Sequence, residues 1–383
     1  MVEKKFGTQL KKQNVMVENN MNKERKLATI RKISNIEPIS GADKIELATI
    51  DGWKVVVAKN VGHKIGDFVI YCEIDSFLPI KEEFEFLRKS SYKKMGDIEG
   101  FRLKTIKLRG QVSQGLILPI SVLEGDGEMK IGYSEQPWGK QLQLGPYDDA
   151  LVIDVGVDVT NLLGIVKYEP PIPAELSGKV KGLFPSFLRK TDEERVQNLT
   201  TEYQEWRFQS KHQFYVTEKL DGSSATFYLN NGQFGVCSRN LELLETEENT
   251  FWKVARELDL ENKMLSLNRN ICFQGELHGS GIQKNPYKMS NQTVRFFNIF
   301  DIDNYTLVPL NEFLQILTRL ELMHVPILEM NFLFPNTIDE MLKYAEGKSQ
   351  LNPNTEREGV VVRSLDNTIS FKAISNKFLL TEE

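Results

Sequence analysis

The chain has 383 residues, 40% hydrophobic and 26% charged, the make-up of an ordinary folded protein with length for two or three domains. Lysine plus arginine total 48 against 53 acidic residues, a net charge of −5, which excludes a uniformly basic nucleic-acid coat but leaves room for local basic patches. The three cysteines, Cys72, Cys237 and Cys272, are too few and too scattered for a disulfide framework or a four-cysteine zinc site, and no apolar run reaches the ~18 residues of a spanning helix.

Residues 1–26 are polar and lysine-rich without hydrophobic periodicity, and read as a flexible tail. No signal peptide opens the chain, and free thiols fit a reducing compartment, with the cytoplasm as default and nucleus or organelle left open. Residues 27–165 read as β-rich. Runs at 47–50 and 53–58 flank Asp51-Gly52, a strong two-residue hairpin signal, and 68–74 is a further apolar run. Short strands with glycine turns predict a small barrel, for which a five-stranded OB barrel is the natural candidate. Within it, residues 101–109 set Arg102, Lys104, Lys107 and Arg109 among Phe101, Leu103, Ile106 and Leu108, with a phase change that predicts a bulge. Such a strand either lines a groove that tracks phosphates or is a solvated edge protected by charge.

Residues 166–212 read as a connector: Pro170, Pro171 and Pro173 break regular structure, and 191–199 predicts a short helix with Asp192, Glu193 and Glu194 in its first turn. From 213 to 383 the pattern is α+β. Strands are expected at 214–218, 225–229, 233–238, 271–277, 294–302, 359–363 and 368–372. Helices are expected around Phe251–Leu258 spacing, around Phe313 to Leu320, and after Thr337, whose Glu340 completes a capping-box pattern.

Six features of this second half carry chemistry. Lys219-Leu220-Asp221-Gly222 ends a strand at a glycine turn, presenting an amine at a sheet rim; to attack phosphorus that amine must be neutral, so its pKa must fall. Ser238-Arg239-Asn240 offers an arginine for phosphate. Fifty-seven positions after Lys219, Glu276 ends an apolar strand beside Gly275, placed to accept ribose hydroxyls or to hold a hydrated metal. Phe297, with Phe296 as the alternative, can stack on a base. Glu358 precedes the strand at 359–363, and Lys372 closes the next one. Each has a plain structural explanation taken singly; the ordered set does not.

That set resembles the motifs of the covalent nucleotidyltransferase superfamily: Lys219–Gly222 motif I, Arg239 motif Ia, Glu276 motif III, Phe297 motif IIIa, Glu358 motif IV and Lys372 motif V. The phrases Gly281-Ile282-Gln283-Lys284-Asn285 and Ser370-Phe371-Lys372 look most like ATP-dependent RNA ligases, in the branch with an N-terminal OB module, and 191–198 is similar to a stretch that precedes motif I there. The resemblance implies an α+β architecture: an OB-like β-barrel domain, then a C-terminal nucleotidyltransferase (ATP-grasp-like ligase) domain of antiparallel sheets with flanking helices. DNA ligases and capping enzymes place the OB domain after motif V, whereas here 11 residues follow Lys372. A DNA ligase, a capping guanylyltransferase or a non-catalytic RNA-binding relative stand as alternatives. One departure is Ile374, where RNA ligases often carry a second motif V lysine; Lys377 is the candidate substitute.

The implied reaction joins RNA 3′-hydroxyl and 5′-phosphate ends, expected in a nicked duplex and in RNA repair, through lysyl-AMP and RNA-adenylate intermediates. Lys219 and Lys372 are the implied catalytic pair. Arg195, Glu218, Arg239, Glu276 and Phe297 join them in binding ATP and AMP. Asp221, Glu276 and Glu358 would hold Mg²⁺ or Mn²⁺, and Arg102, Lys104, Lys107 and Arg109 would contact RNA. No membrane and no obligate protein partner is implied.

Overall fold

The computed structural model describes residues 25–124, 130–136, 139–145, 151–169, 178–209 and 211–381. The tail over 1–24 and the connector prolines Pro170, Pro171 and Pro173 lie outside them. The chain divides into two compact units, one of residues 1–50, 54–109 and 113–171, the other of 51–53, 110–112 and 172–383. Among the described residues no helix is long and apolar enough to cross a membrane.

In the first unit Ala28–Lys32 and Leu116–Pro119 both pair antiparallel with Phe68–Cys72. The central strand is covered on both faces, which is why 68–72 reads as a continuous apolar run instead of an alternating one. Asn35–Pro38, Ile45–Ile50 and Trp53–Ala58 form a second sheet, and Asp51 and Gly52 make its hairpin turn at φ 46° and 83°. Val166–Lys167, Ser76–Pro79, Ile98–Arg102 and Tyr92–Met95 form a third. Ile30, Ile70, Leu78, Phe101 and Leu118 fill a core between the first and third of these sheets. These small antiparallel β-sheets make up the OB-like domain, with strands beyond the five expected.

The phase change in 101–109 is a switch of sheets, not a bulge. Ile98–Arg102 ends in the four-stranded sheet, and Thr105–Leu108 starts a two-stranded ribbon with Gln111–Gln114. Phe101 and Leu103 face the core, whereas Ile106 and Leu108 are exposed.

The second unit is built from two antiparallel sheets. Seven strands run in the order Val180–Leu183, Leu241–Leu243, Gln233–Cys237, Ser223–Asn230, Ile271–Gly279, Gln292–Asp301 and Thr306–Leu307. The other four are Ile327–Met330, Phe214–Lys219, Gly359–Ser364 and Ser370–Ile374. Helices Thr250–Glu257 and Leu310–Arg319 cover the first sheet through Trp252, Val254, Phe313 and Leu317, which pack on Phe227, Phe273 and Phe296. Helix Ile338–Ala345 covers the second through Met341 and Leu342, against Val216, Val360, Val362 and Phe371. Thr337 caps that helix by accepting from the Glu340 N–H at 3.1 Å, but the Glu340 carboxylate reaches back to the Asn336 N–H instead of closing the box on Thr337 itself.

The helix expected over 191–199 is displaced. Residues 191–195 are not helical, Val196–Asn198 make one 3₁₀ turn, and the α-helix starts at Thr200 and runs to Gln209. The acidic residues that suggested a first turn serve other partners: Asp192 pairs with Arg239 and Glu193 with Arg363, and the Glu194 carboxylate accepts from Arg195 N–H and Asn198.

Gly359 stands between Lys219 and Ile374 in the four-stranded register, and a Cβ there would meet the Ala373 carbonyl oxygen at 2.2 Å. Gly359→Ala should therefore cost about 1–3 kcal/mol by overpacking a strand junction. Urea unfolding checks this, and an unchanged midpoint would contradict it.

Candidate active site

Directly opposed residues of antiparallel strands project to the same face. The four-stranded register aligns three such rows: Tyr215–Arg363–Ser370, Thr217–Val361–Lys372 and Lys219–Gly359–Ile374. One face of this sheet thus presents Thr217, Lys219, Val361, Arg363 and Lys372, and all five line a cleft of about 540 Å³, within the ~300–1,000 Å³ of small-molecule sites. The other sheet contributes Ser224, Glu276 and Phe297, and the connecting segments contribute Asp192, Glu193, Asp221, Gly222, Arg239 and Glu358.

Phe297 owes its place to a bulge. Gln274 pairs with Asn298 but Gly275 pairs with Phe296, so Phe297 is the extra residue, turned from the regular pleat. Phe296 is buried in the core with Phe227 and Phe273, while Phe297 is half-buried at the cleft, over the guanidinium of Arg363 at 5.7 Å. The choice that the sequence left open between the two rings is made by that one inserted residue.

The turn after Lys219 is pinned on both sides. A Cβ on Gly222 would meet the Leu277 carbonyl oxygen at 2.3 Å, so glycine is required for this close approach to the strand bearing Glu276. Asp221 N–H donates to the Tyr287 hydroxyl at 2.6 Å, and Gln283 Nε2 donates to the Gly222 carbonyl at 3.0 Å. Leu220 packs into a small apolar cluster with Tyr287 and Val325.

Electrostatics in the cleft turn on Lys219. Its Nζ lies 2.6 Å from Glu358 Oε2. Burial by itself would push the amine down, but the carboxylates of Glu358, Glu276 and Asp221 and the hydrogen bond to Glu358 outweigh it and raise the pKa above the ordinary lysine value. This corrects the expectation of a depressed pKa: in the ligand-free cleft Lys219 is an ammonium. Burial, with Glu358 and Asp221 nearby, pushes Glu276 up to about 8. Burial and the charges of Lys219 and Arg195 bring Lys372 down to about 8.

Three crowded carboxylates, one of them reluctant to ionise, make a donor set suited to a divalent cation. Among the described residues no three His, Cys, Asp or Glu side chains converge closely enough for an all-protein cage. The set therefore fits a cation that keeps several waters.

The other sequence-derived residues fall as follows. Arg239 is 60% exposed at the cleft and bonded to Asp192 at 2.6 Å. Arg195 does not line the cleft, but its backbone bridges to Lys372. Glu218 lines it while its buried carboxylate accepts from the Gln350 N–H at 2.8 Å, on the opposite face of the strand from Lys219. Lys377 pairs with Glu346 at 3.6 Å and does not line the cleft, and Ile374 is buried. In the first unit, Arg102 is held by Asp75 at 3.2 Å and stacks over Tyr168, whereas Lys104, Lys107 and Arg109 are exposed. Sequence reasoning missed Arg363, Glu193, Gln283 and Tyr287. Gln283 sat in a phrase already singled out, and Arg363 is the one charged residue of its apolar strand; Tyr287 gave no signal.

An OB-fold domain family matches residues 27–120, and the RNA ligase family matches residues 212–377. No curated protein sequence matches the chain. Among solved structures, a variant of Naegleria gruberi RNA ligase with AMP and Mn is 40% identical, with a TM-score of 0.74 over 94% of this chain and 99% of that one. A second variant with ATP and Mn is 40% identical, with a TM-score of 0.72 over the same shares. The Naegleria gruberi enzyme with PPi matches at 40% identity and a TM-score of 0.72, over 93% and 98%.

Two measurements probe this geometry. Phe296→Ala should cost about 3–5 kcal/mol of stability, and Phe297→Ala roughly half of that or less, since only Phe296 is enclosed. Equal losses in chemical denaturation would refute the assignment of the bulge. Glu276 supplies a pH signature. The native state keeps a proton that the unfolded chain releases near pH 4.5, so this contribution to stability is complete below that value and gone above about pH 8. Ligand-free Glu276→Gln should gain on the parent as pH rises from about 5 to about 8. A difference in denaturation midpoint that stays constant with pH would contradict the buried, crowded carboxylate.

Proposed function

The chain belongs to the RNA ligase family, and on that premise we propose that it is an ATP-dependent RNA ligase that joins RNA 3′-hydroxyl and 5′-phosphate ends through an AMP carried on Lys219. The observation that carries this reading is the amine of Lys219, half-buried against Glu358 in a cleft that also holds a base-sized aromatic face and a second lysine.

Lys219 Nζ attacks the α-phosphorus of ATP, forming a P–N bond as the P–O bond to pyrophosphate breaks. The amine must first surrender the proton it holds toward Glu358. Asp221, Glu276 and Glu358 would hold a divalent cation, Mn²⁺ as in the relative or Mg²⁺, whose positive charge would offset the phosphate oxygens. Lys372, one row from Lys219, adds fixed positive charge where phosphate charge develops. Phe297 stacks on the adenine and Val361 contacts it from the facing sheet. Glu218 contributes backbone only, since its carboxylate is turned to Gln350. Arg195 orients the departing pyrophosphate, and Arg239 exchanges Asp192 for a phosphate.

AMP then passes from Lys219 to an RNA 5′-phosphate, and an RNA 3′-hydroxyl displaces AMP to form the phosphodiester. The OB domain holds the strand bearing the 3′-hydroxyl, with Lys104, Lys107 and Arg109 free to meet phosphates and Arg102 already engaged by Asp75. A nicked duplex suits such a separate binding module, and RNA is told from DNA by 2′-hydroxyl contacts and A-form shape.

Incubation with α-labelled ATP should label the parent chain in an acid-labile adduct. Lys219→Ala should reduce that label by at least roughly a thousandfold, because Lys372, the other lysine lining the cleft, has Asp192 and Glu193 as its acidic neighbours instead of the trio. Nicks with an RNA 3′ end should be sealed in preference to DNA ones. An adduct in the variant would remove Lys219 from its role, and preferential sealing of DNA 3′ ends would favour the DNA ligase alternative.

A further inference from the structure

Residues 280–291 connect strand Ile271–Gly279 to strand Gln292–Asp301 and meet the turn that follows Lys219. Gln283, Asn285 and Lys288 in this strap hold left-handed backbone at φ 47°, 45° and 53°, a conformation that persists in non-glycine residues only where the surroundings impose it. Asn285 imposes part of it: its Nδ2 donates to the Met289 carbonyl at 2.9 Å, and its Oδ1 accepts from the Met289 N–H at 3.1 Å. The same course brings Tyr287 inward, buried edge-on to His278 and packed with Leu220 and Val325. A phenylalanine would fill that apolar cluster as well. The hydroxyl is the specific element, since a buried phenol oxygen needs a partner, and the one it takes is the Asp221 N–H.

A second loop grips the same strap. Residues 347–357 lead into Glu358 and are closed by the pair Lys348–Glu356 at 2.6 Å. Asn352 Nδ2 and Thr355 Oγ1 both donate to the Pro286 carbonyl, at 3.0 and 2.8 Å, so Tyr287 is held through the residue before it. Asn352 Oδ1 accepts from the Asn354 N–H at 3.1 Å, which fixes the amide in that orientation. The Gln350 N–H donates to Glu218 Oε2 at 2.8 Å, and Leu351 packs on the cluster around Tyr287. The loop that carries Glu358 therefore reaches both sides of Lys219: Glu218 directly, and Asp221 through Pro286 and Tyr287. Strand pairing fixes Lys219 against Gly359, but Leu220 and Asp221 lie outside the strands, where such side-chain ties decide the backbone's course.

We propose that Tyr287 is a positioning residue for Lys219: held by Asn352 and Thr355 through Pro286, its hydroxyl fixes the turn that aims the amine and couples that turn to the loop carrying Glu358. The proposal rests on the ligase reading above. A residue that only filled the apolar cluster would act through its ring, and its loss would lower stability. A residue that positions the turn acts through one oxygen atom, and its loss slows the chemical step while the fold and nucleotide binding persist.

Two measurements on the full chain test this. In the ligand-free protein, amide hydrogen exchange at Asp221 should be at least about tenfold faster in Tyr287→Phe than in the parent, with little shift in the urea midpoint. At saturating ATP, Tyr287→Phe should form lysyl-AMP about tenfold more slowly, with KM for ATP within about twofold of the parent. Asn352→Ala should give the same pattern. Adding it to Tyr287→Phe should cost no more than about threefold beyond the slower single variant, since both act along one path. Should Asn352→Ala fail to fold, Thr355→Val takes its place, removing one of the two bonds to Pro286 at similar shape. Unchanged exchange at Asp221, an unchanged rate of lysyl-AMP formation, a loss confined to KM, or losses that multiply in full would overturn the proposal. A parent chain that forms no lysyl-AMP with ATP would instead sink the ligase reading, and exchange at Asp221, read without nucleotide, would still decide whether Tyr287 fixes the turn.

Discussion

The contact on which the site depends is the ion pair between Lys219 and Glu358. A lysine at the rim of a sheet, half-buried and ringed by three carboxylates, is held as an ammonium. That state is stable and unreactive. The same carboxylates that hold it are the ones proposed to hold a hydrated cation, which would then replace one positive charge with another. Lys372 is the counterpart: burial and the nearby charges of Lys219 and Arg195 pull it down to about 8, so it holds its proton less firmly than Lys219 while staying largely charged near neutral pH.

Two sheets make this arrangement possible. The four-stranded one supplies a face in strict register, so that Lys219 and Lys372 stand one row apart with Val361 and Gly359 between them. The seven-stranded one breaks its register once, and the residue gained at that break is the ring facing the cleft. Glycine at 222 and at 359 permits the backbone approaches that bring Glu276 and Glu358 toward the same amine. Residues 191–195 then tie the two faces together through four consecutive side-chain or backbone contacts.

Much of this was legible beforehand. The strands bearing Lys219, Glu276 and Lys372 announce themselves by apolar runs ending in a charge or a glycine, and the helix after Thr337 by its cap. The residues that line the cleft stood out as an ordered set, with Lys219 closing its strand and Glu358 just ahead of the next, although Glu276, Phe297 and Lys372 lie inside theirs. What stayed hidden was decided at long range. The acids at 192–194 look like a helical first turn, and only the folded partners Arg239 and Arg363 show why they are not. The ring at 297 cannot be told from 296 without the partner strand's register. The alternation in 101–109 breaks because the chain changes sheets, an event with the same sequence signature as a bulge. The protonation of Lys219 depends on Glu358, 139 positions away, and no local pattern carries it.

The most direct measurement is the titration of Lys219 itself, followed by NMR on isotope-labelled lysine in the ligand-free chain, with Glu358→Gln beside it. The account predicts an amine that stays charged to a pH above that of an ordinary lysine, and a clear fall when the Glu358 charge is removed. A Lys219 that titrates below ordinary lysines in the free protein, or one indifferent to Glu358→Gln, would contradict it.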